Sequence, residues 1–162
     1  MNKHVLSVLV ENRPGVLSKV VGLFSRRGFN IDSLAVGVTQ SPDISRITIL
    51  VSGDEQLVEQ ISKQLNKLVD VIKIRTFSES DCVNRELILI KIKAGKSVRQ
   101  EVIQLATIFR ANIIDVSAST LTIELTGDTD KINAFLQMMG SYGIAEIARG
   151  GTLSLERGAH SL

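Results

Sequence analysis

The residue types that best suit ligand chemistry lie in one short turn, Glu11-Asn12-Arg13-Pro14-Gly15, between an apolar run and a helix-like pattern. Pro14 suits the first turn of a helix because its missing N–H needs no partner there, and Gly15 lets a ligand approach the backbone closely. The free N–H groups of Gly15, Val16 and Leu17, together with the helix dipole, would attract a small anion. We therefore predict a carboxylate-binding site at the start of this helix.

Two asparagines extend this candidate site. The side-chain amide of Asn12 has both a donor and an acceptor, so it can contact a carboxylate and an ammonium group at once, and an α-amino acid carries both. Asn30 begins the next predicted strand, and Ile31 beside it offers an apolar contact to a ligand side chain. A purely structural interpretation also fits, in which Asn12 forms an Asx turn and Asn30 tolerates a tight bend. Spacing alone favours that structural interpretation.

Patterns for catalysis or metal binding are missing from the sequence. His4 and His160 stand far apart, with no HxxxH or CxxC spacing, so neither predicts a zinc site or a catalytic triad. Cys82 follows Asp81 and has no nearby base in a helix-capping position, so we expect an ordinary thiol. P-loop, G-x-G-x-x-G and G-x-S-x-G motifs do not occur, which removes support for nucleotide binding and acyl transfer. We predict no catalytic residue and no metal ligand.

Composition excludes several broad classes of protein. The 162 residues are 44% hydrophobic but only 4% aromatic, which favours a β-rich aliphatic core. Net charge is only +2 and no basic cluster exceeds Arg26-Arg27, so we expect no nucleic-acid partner. The single cysteine, the lack of a signal-peptide pattern and apolar runs far below the ~20 residues of a membrane span favour a cytosolic location with no membrane partner.

One pattern of elements occurs twice along the chain. Its first copy consists of a strand at 5–10, a helix carrying Val16 to Phe24, strands at 30–39 and 46–51, a helix carrying Leu57 to Leu68, and a strand at 70–77. The second copy consists of a strand at 85–93, a helix at 98–109, strands at 112–116 and 120–126, a helix carrying Ile132 to Met139, and a strand at 143–148. Gly28 ends the first helix, and Asp54 and Asp128 can cap later ones.

Two βαββαβ units predict an α+β (α/β sandwich) fold with two ferredoxin-like domains, each an antiparallel sheet with both helices on one face. We assign residues 1–78 to the first domain, 79–84 to a linker and 85–162 to the second domain, whose Gly-rich tail has room for one short extra strand. The strands at 5–10 and 85–93 point apolar residues to both sides. We therefore expect another copy of the chain, or the neighbouring domain, to cover the open sheet faces.

This fold also serves RNA-binding and metal-carrying proteins, and neither use fits the sequence. The strands at 5–10 and 46–51 hold no aromatic residue on which a base could stack. The first loop has Asn12-Arg13-Pro14-Gly15 where a metal carrier needs a pair of cysteines.

Several segments resemble one known family. The run from Val8 to Leu17 and the phrase Gly-Phe-Asn-Ile-Asp-Ser-Leu at 28–34 resemble the ACT domain of the acetolactate synthase (acetohydroxyacid synthase) small subunit. The resemblance continues through 45–49, 64–71, 85–91 and 109–116, and it covers nearly the whole chain. It identifies the predicted first domain, residues 1–78, as an ACT domain.

The resemblance implies a regulatory subunit without an active site of its own. In this family a separate catalytic subunit carries thiamine diphosphate, magnesium and FAD, and the small subunit raises its activity and confers feedback inhibition by a branched-chain amino acid, usually valine. It also implies a homodimer of ACT domains. The effector would bind at the dimer interface, where its contacts are Asn12, Gly15, Val16, Leu17 and Ser18 of one chain and Asn30 and Ile31 of the other.

Two alternatives are a stand-alone ACT-type amino-acid sensor or transcriptional regulator and an independent enzyme. We would expect a DNA-binding segment before or after the ACT domain of a regulator, but the first predicted strand opens at residue 3 and the tail is not basic. An independent enzyme should form acetolactate from pyruvate without a second subunit.

Overall fold

A computed structural model describes residues 2–162, apart from the side chain of Glu79. The first half contains β1 (Asn2–Glu11), α1 (Val16–Arg27), β2 (Ser33–Val38), β3 (Ile44–Gly53), α2 (Glu55–Leu65) and β4 (Val71–Ser78). The rest contains β5 (Cys82–Lys93), α3 (Arg99–Ile108), β6 (Asn112–Val116), β7 (Thr120–Gly127), α4 (Thr129–Gly140), β8 (Ile144–Arg149) and β9 (Leu153–Glu156). The predicted βαββαβ order is confirmed in both halves, and β9 is the short extra strand of the tail.

The first sheet has the strand order β2-β3-β1-β4 with antiparallel pairing throughout. Because side chains alternate along a strand, Leu6, Val8 and Val10 of β1 share the face that packs against the helices. The rest of this buried core comes from Val16, Val20, Leu23 and Phe24 of α1, from Ile47, Ile49 and Val51 of β3, and from Val58, Ile61 and Leu65 of α2. This packing fixes both ends of α1 relative to the sheet.

The open face of the first sheet is covered in part by the chain itself. Thr152 and Ser154 of the tail are buried, and the Thr152 N–H donates to the Ser33 Oγ at the start of β2 over 2.8 Å. The start of β5 adds an apolar contact on the same face, formed by Val5, Leu50, Phe77 and Cys82. Tail and β5 residues therefore supply part of the cover that the sequence led us to expect from another copy or a neighbouring domain.

The second sheet has the order β6-β7-β5-β8, with β9 paired to β5 outside that path. Ile88, Ile90 and Ile92 of β5 face α3 and α4 and are completely buried. The rings of Phe109 and Phe135 meet edge to face at 5.2 Å and close this core. The two helices therefore cover one face of the sheet, as in the first half.

The open face of the second sheet is largely polar, which differs from the expectation. Leu87 lies on it, but its neighbour on β7 is Thr126. On the same face, Lys91 Nζ lies 3.9 Å from Glu146 Oε2 of β8. Alternation along a strand predicts the face that a residue joins but not its cross-strand neighbours, which decide whether the face is apolar. Leu87 remains 44% exposed on this face.

The chain divides into two compact units, and their boundaries differ from the predicted domain limits. One unit comprises residues 1–84 with 151–162, and the other comprises residues 85–150. The tail, which we expected in the second domain, therefore belongs with the first unit because its hydrogen bonds run to that unit. The predicted linker at 79–84 is a single 3₁₀ turn at Glu79–Asp81 followed directly by β5.

Local signals in the sequence set the ends of the helices as expected. Asp54 accepts a hydrogen bond from the Leu57 N–H, and Asp128 accepts one from the Lys131 N–H, so both aspartates cap helices. Gly28 ends α1 in the left-handed region with φ 67°. Among the described residues, no helix is long and apolar enough to cross a membrane.

A candidate ligand site at the start of the first helix

The helix α1 begins at a glycine whose backbone conformation few other residues adopt. Gly15 is the N-cap residue with φ 85° and ψ −11°, in the left-handed region, and no side chain caps the helix. Pro14 therefore lies before the helix and not in its first turn, which corrects the sequence prediction. A left-handed N-cap without a side chain leaves the first N–H groups of the helix open to a ligand.

Three main-chain donors are available at this helix start. The Val16 N–H donates weakly to the Arg13 carbonyl over 3.4 Å. It is therefore not free, contrary to the prediction. Within the described part of the chain, the N–H groups of Gly15, Leu17 and Ser18 have no acceptor. The first turn contains no acidic side chain, so the positive end of the helix dipole is not compensated within α1. These N–H groups are donors of the kind from which a carboxylate accepts hydrogen bonds.

Asn12 is anchored beside this helix start by the turn between β2 and β3. Its main-chain N–H donates to the Asp43 carbonyl over 2.8 Å, and its Nδ2 donates to the Pro42 carbonyl over 2.9 Å. The side-chain amide is therefore partly used for structure, but through a long-range bond and not through the Asx turn of the structural interpretation. Its Oδ1 has no donor among the described residues and remains able to accept a hydrogen bond from an ammonium group.

An ion pair between the exposed Lys19 and the nearly buried Asp70 fixes the same end of α1. Lys19 Nζ lies 2.7 Å from Asp70 Oδ2, and the Asp70 side chain is only 13% exposed. The Asp70 carbonyl in turn accepts a hydrogen bond from the Glu11 N–H at the end of β1 over 2.9 Å. Sequence reasoning missed this link because 51 residues separate Lys19 from Asp70. It holds the first turn of α1 against the loop that precedes β4.

Asn30 and Ile31 lie beyond the other end of α1. The exposed Asn30 donates through Nδ2 to Asp32 Oδ1 over 3.0 Å, and Ile31 packs partly against the first core. Twelve helical residues separate this segment from Gly15, a length of about 18 Å at the usual rise per residue. The structure therefore does not bring the two groups of predicted site residues together within one chain.

The solvent face of α1 carries a shallow groove that the sequence analysis did not identify. It is lined by Ser18, Lys19, Gly22, Ser25 and Arg26, with a volume of about 450 Å³. A Cβ added at Gly22 would meet no atom within 4 Å, so a small residue is not required there by the chain's own packing. The small residues here are Ser18, Gly22 and Ser25, which lie four and three positions apart and so share one face of α1.

The groups considered for catalysis do not form a catalytic arrangement. His4 lines a separate groove of about 380 Å³ between α2 and β4, and its Nε2 has no partner in the described residues. Cys82 is buried, and burial, followed by the charges of Asp81 and Glu156, raises the pKa of its thiol, as expected for an ordinary cysteine. Among the described residues no three His, Cys, Asp or Glu side chains converge on a point where a metal ion would bind.

Two ferredoxin-like βαββαβ units in one chain define an ACT-type protein. The family model described as "AHAS small subunit-like ACT domain" matches residues 6–73, and the model described as "Small subunit of acetolactate synthase" matches residues 85–158. The chain belongs to the acetolactate synthase small-subunit family.

Individual relatives agree with this assignment. The chain is 54% identical over 156 residues to the probable acetolactate synthase small subunit of Archaeoglobus fulgidus, covering 96% of this chain and 98% of that one. It is 52% identical to the small subunit of Mycolicibacterium smegmatis, covering 98% and 94%. The crystal structure of the acetolactate synthase small subunit from Thermotoga maritima superposes with a TM-score of 0.92 at 42% identity, over 99% of this chain and 100% of that one.

Proposed function

We propose that this chain is a non-catalytic, cytosolic regulatory subunit that raises the activity of a separate acetolactate synthase catalytic subunit and makes it sensitive to valine. Thiamine diphosphate, magnesium and FAD would all belong to that catalytic subunit. Family membership supports the partnership. The observation that carries the effector site is the left-handed N-cap at Gly15, which leaves three N–H donors open at the positive end of α1.

We propose that one valine uses contacts from two chains. Its carboxylate would accept hydrogen bonds from the N–H groups of Gly15, Leu17 and Ser18, and its ammonium group would donate to Asn12 Oδ1. Asn30 and Ile31 of a second chain would supply a polar contact and an apolar contact to the ligand. Support for a second chain comes from the length of α1, which separates the two groups by about 18 Å within one chain.

A side-by-side homodimer along β2 would join these half-sites. β2 is an edge strand of its sheet, and Val36 and Val38 are both exposed on it. If two copies pair their β2 strands antiparallel, the start of one strand lies beside the end of the other. Asn30 and Ile31 precede the start of β2, and Asn12 is bonded to the turn that follows its end. The pairing therefore brings each half-site toward the complementary half-site of the partner.

Inhibition requires that valine bind one state of the complex more tightly than another. A differential affinity of about 1–3 kcal/mol is typical of such coupling. We propose that valine at the dimer interface changes how the dimer engages the catalytic subunit, with no direct contact between valine and the reacting pyruvate.

Mixing the purified chain with its catalytic subunit tests this function. Acetolactate formation from pyruvate is measured for each protein alone and for the mixture, while valine is titrated. A regulatory subunit is inactive alone, raises the rate on mixing and makes that rate sensitive to valine. An independent enzyme forms acetolactate alone, and a stand-alone sensor binds valine without changing the rate of the catalytic subunit. Either of the last two results contradicts the proposal.

Substitution at Gly15 tests the site. Gly15→Asp places a carboxylate where the valine carboxylate is expected, and aspartate tolerates the left-handed conformation better than most residues. Valine binding measured by calorimetry should be lost, while activation of the catalytic subunit is kept. Gly15→Asn has nearly the same volume without the charge and serves as the matched control, with a smaller loss of binding. Undiminished valine binding in the aspartate variant would show that the site lies elsewhere.

A further inference from the structure

The C-terminal segment crosses back onto the first unit after the second unit is complete. We call residues 151–157 the strap. Their side chains alternate, so that Thr152 and Ser154 are 4% exposed, whereas Leu153 and Leu155 are 63% and 60% exposed. The strap therefore faces the first sheet with small polar side chains and presents its apolar residues outward. Its attachment depends on specific polar contacts more than on buried apolar area.

One group of contacts ties the strap to the start of β2. The Thr152 N–H donates to Ser33 Oγ over 2.8 Å. Gly151 lies against the backbone of Leu34, where any Cβ would overlap the Leu34 carbonyl oxygen. Only glycine fits at residue 151 while the strap is in place, because the obstacle is backbone and has little freedom to move.

A second group of contacts ties the strap to the segment that leads into β5. Ser154 Oγ donates to Asn84 Oδ1 over 2.6 Å, and the Arg157 N–H donates to the Asp81 carbonyl over 3.0 Å. The chain passes from the first unit to the second after Asn84 and returns after Gly150. The strap therefore holds both crossings to the first sheet.

The anchor at Ser33 lies next to the segment that we assign to effector binding. Asn30 donates to Asp32 Oδ1, and Asp32 Oδ2 accepts a hydrogen bond from Ser52 Oγ over 2.5 Å. The Asp32 N–H also donates to the Leu50 carbonyl over 2.9 Å, and Ser33 follows directly in the chain. Continuous bonded contacts thus connect Asn30 to the strap and, through it, to both crossings.

We propose that the strap is the element that transmits effector binding at Asn30 to the second unit. This inference rests on the proposed function. A shift of the first residues of β2 on valine binding would be carried through Ser33 and Thr152 to the crossings after Asn84 and Gly150. A segment held mainly by polar contacts can exchange between two arrangements at low cost, which a transmitting element requires.

Gly151→Val tests the proposal because a branched side chain cannot enter the space beside Leu34 and should detach the strap. Cys82 provides a built-in readout, since it is the single cysteine and is buried where β5 begins. Its reaction with a thiol reagent should accelerate at least tenfold in the variant, without loss of the circular dichroism spectrum. Leu153→Thr is the matched control, because residue 153 is in the strap but points outward, and it should leave the labelling rate unchanged.

The decisive comparison uses the complex reconstituted with the catalytic subunit. In Gly151→Val we expect the dissociation constant for valine to stay within roughly threefold of the parent value and activation to be retained. The valine concentration for half-inhibition should rise at least tenfold, which corresponds to a coupling loss of about 1.4 kcal/mol. An unshifted valine concentration for half-inhibition in a variant whose Cys82 is exposed would overturn the proposal, as would a Cys82 that stays protected. If the parent chain itself fails to bind valine, the proposed function is wrong, whatever the strap does.

Discussion

Two glycines at different positions are required for different physical reasons. Gly15 has open space around it but a φ of 85°, so its constraint is the backbone conformation. Gly151 has no positive φ, and its constraint is the carbonyl of Leu34. Alanine at Gly15 would cost about 1 kcal/mol of conformational strain, whereas alanine at Gly151 must displace a backbone segment. The sequence alone does not distinguish these two cases.

Asn30→Ala should weaken valine binding while the chain stays folded and dimeric. Asn30 is exposed, and among the described residues its side chain is hydrogen-bonded to Asp32, so the free energy of unfolding should fall by less than about 1 kcal/mol. Calorimetry with valine and sedimentation equilibrium measure the two effects separately. Asn112→Ala is the control, because Asn112 is an exposed asparagine that begins β6 of the other unit and bonds to Glu124. Unfolding of the Asn30 variant would instead support the structural interpretation of this residue.

The sequence predicted the candidate site to the extent that its determinants are local. The Asn12 to Gly15 turn was identified from residue types that directly follow one another. The bond of Asn12 to Pro42, the ion pair of Lys19 with Asp70 and the bond of Thr152 to Ser33 were not, because they join residues 30, 51 and 119 positions apart. Such contacts depend on the packing of whole elements, which periodicity does not encode.

The buried thiol of Cys82 makes the stability of the protein depend on alkaline pH. Burial, with the charges of Asp81 and Glu156, raises the pKa of this group in the folded chain. In the unfolded chain the Cys82 thiol ionises at about pH 8.5. The contribution of the buried thiol to the free energy of unfolding is therefore complete below that pH and declines above it. Urea unfolding one pH unit either side of about 8.5 should show this decline. Cys82→Ala should have a lower free energy of unfolding at both pH values, but this free energy should change less between them than in the parent chain. An unchanged pH dependence in the variant would contradict the assignment of the decline to Cys82.

At the scale of elements, periodicity predicted the order of strands and helices and less of what surrounds the sheets. Asp54, Asp128 and Gly28 set helix ends through local hydrogen bonds, and the structure confirms all three. The strand predicted at 30–39 is shorter in the structure, where β2 covers only Ser33–Val38. Apolar residues on both faces of β1 correctly indicated a covered surface, but the covering residues come from Cys82 and from Thr152 and Ser154, beyond the reach of any local pattern.

The edge strand β2 should be the element that holds the proposed homodimer together. Val38→Lys places a charge on the last residue of this strand, where Val38 is 57% exposed, and charged side chains on edge strands oppose pairing. The dimer dissociation constant measured by sedimentation equilibrium should rise at least tenfold, about 1.4 kcal/mol. Val116→Lys is a closely matched control, because Val116 is 61% exposed and ends the edge strand β6 of the other unit. A dimer weakened only by the Val116 change would locate the interface in the second unit.

At the scale of the whole molecule, the two units share an order of elements but not a ligand site. The loop between β5 and α3 corresponds to the Asn12 to Gly15 turn, yet its N-cap residue is Val98 with φ −116°, outside the left-handed region. The N–H groups of Val98 and Arg99 both donate to the Gly95 carbonyl. The Arg99 guanidinium donates to the carbonyls of Ala94 and Ser117. The N-cap N–H of α3 is therefore paired, unlike that of Gly15, and the first turn of α3 contains the acidic Glu101, whereas the first turn of α1 contains no acidic residue.

This asymmetry predicts one effector per chain. A carboxylate at the start of α3 would meet a paired N-cap N–H and the negative charge of Glu101, whereas α1 has an N-cap N–H without an acceptor and no acidic residue in its first turn. Calorimetric titration of the full chain with valine should therefore give a stoichiometry of one per chain, or one half if the two half-sites of a dimer exclude each other. Gly15→Asp should remove this binding entirely and leave no weaker second event. A stoichiometry of two, or binding that survives in Gly15→Asp with half the heat, would mean that the second unit also binds the effector despite its paired N–H groups.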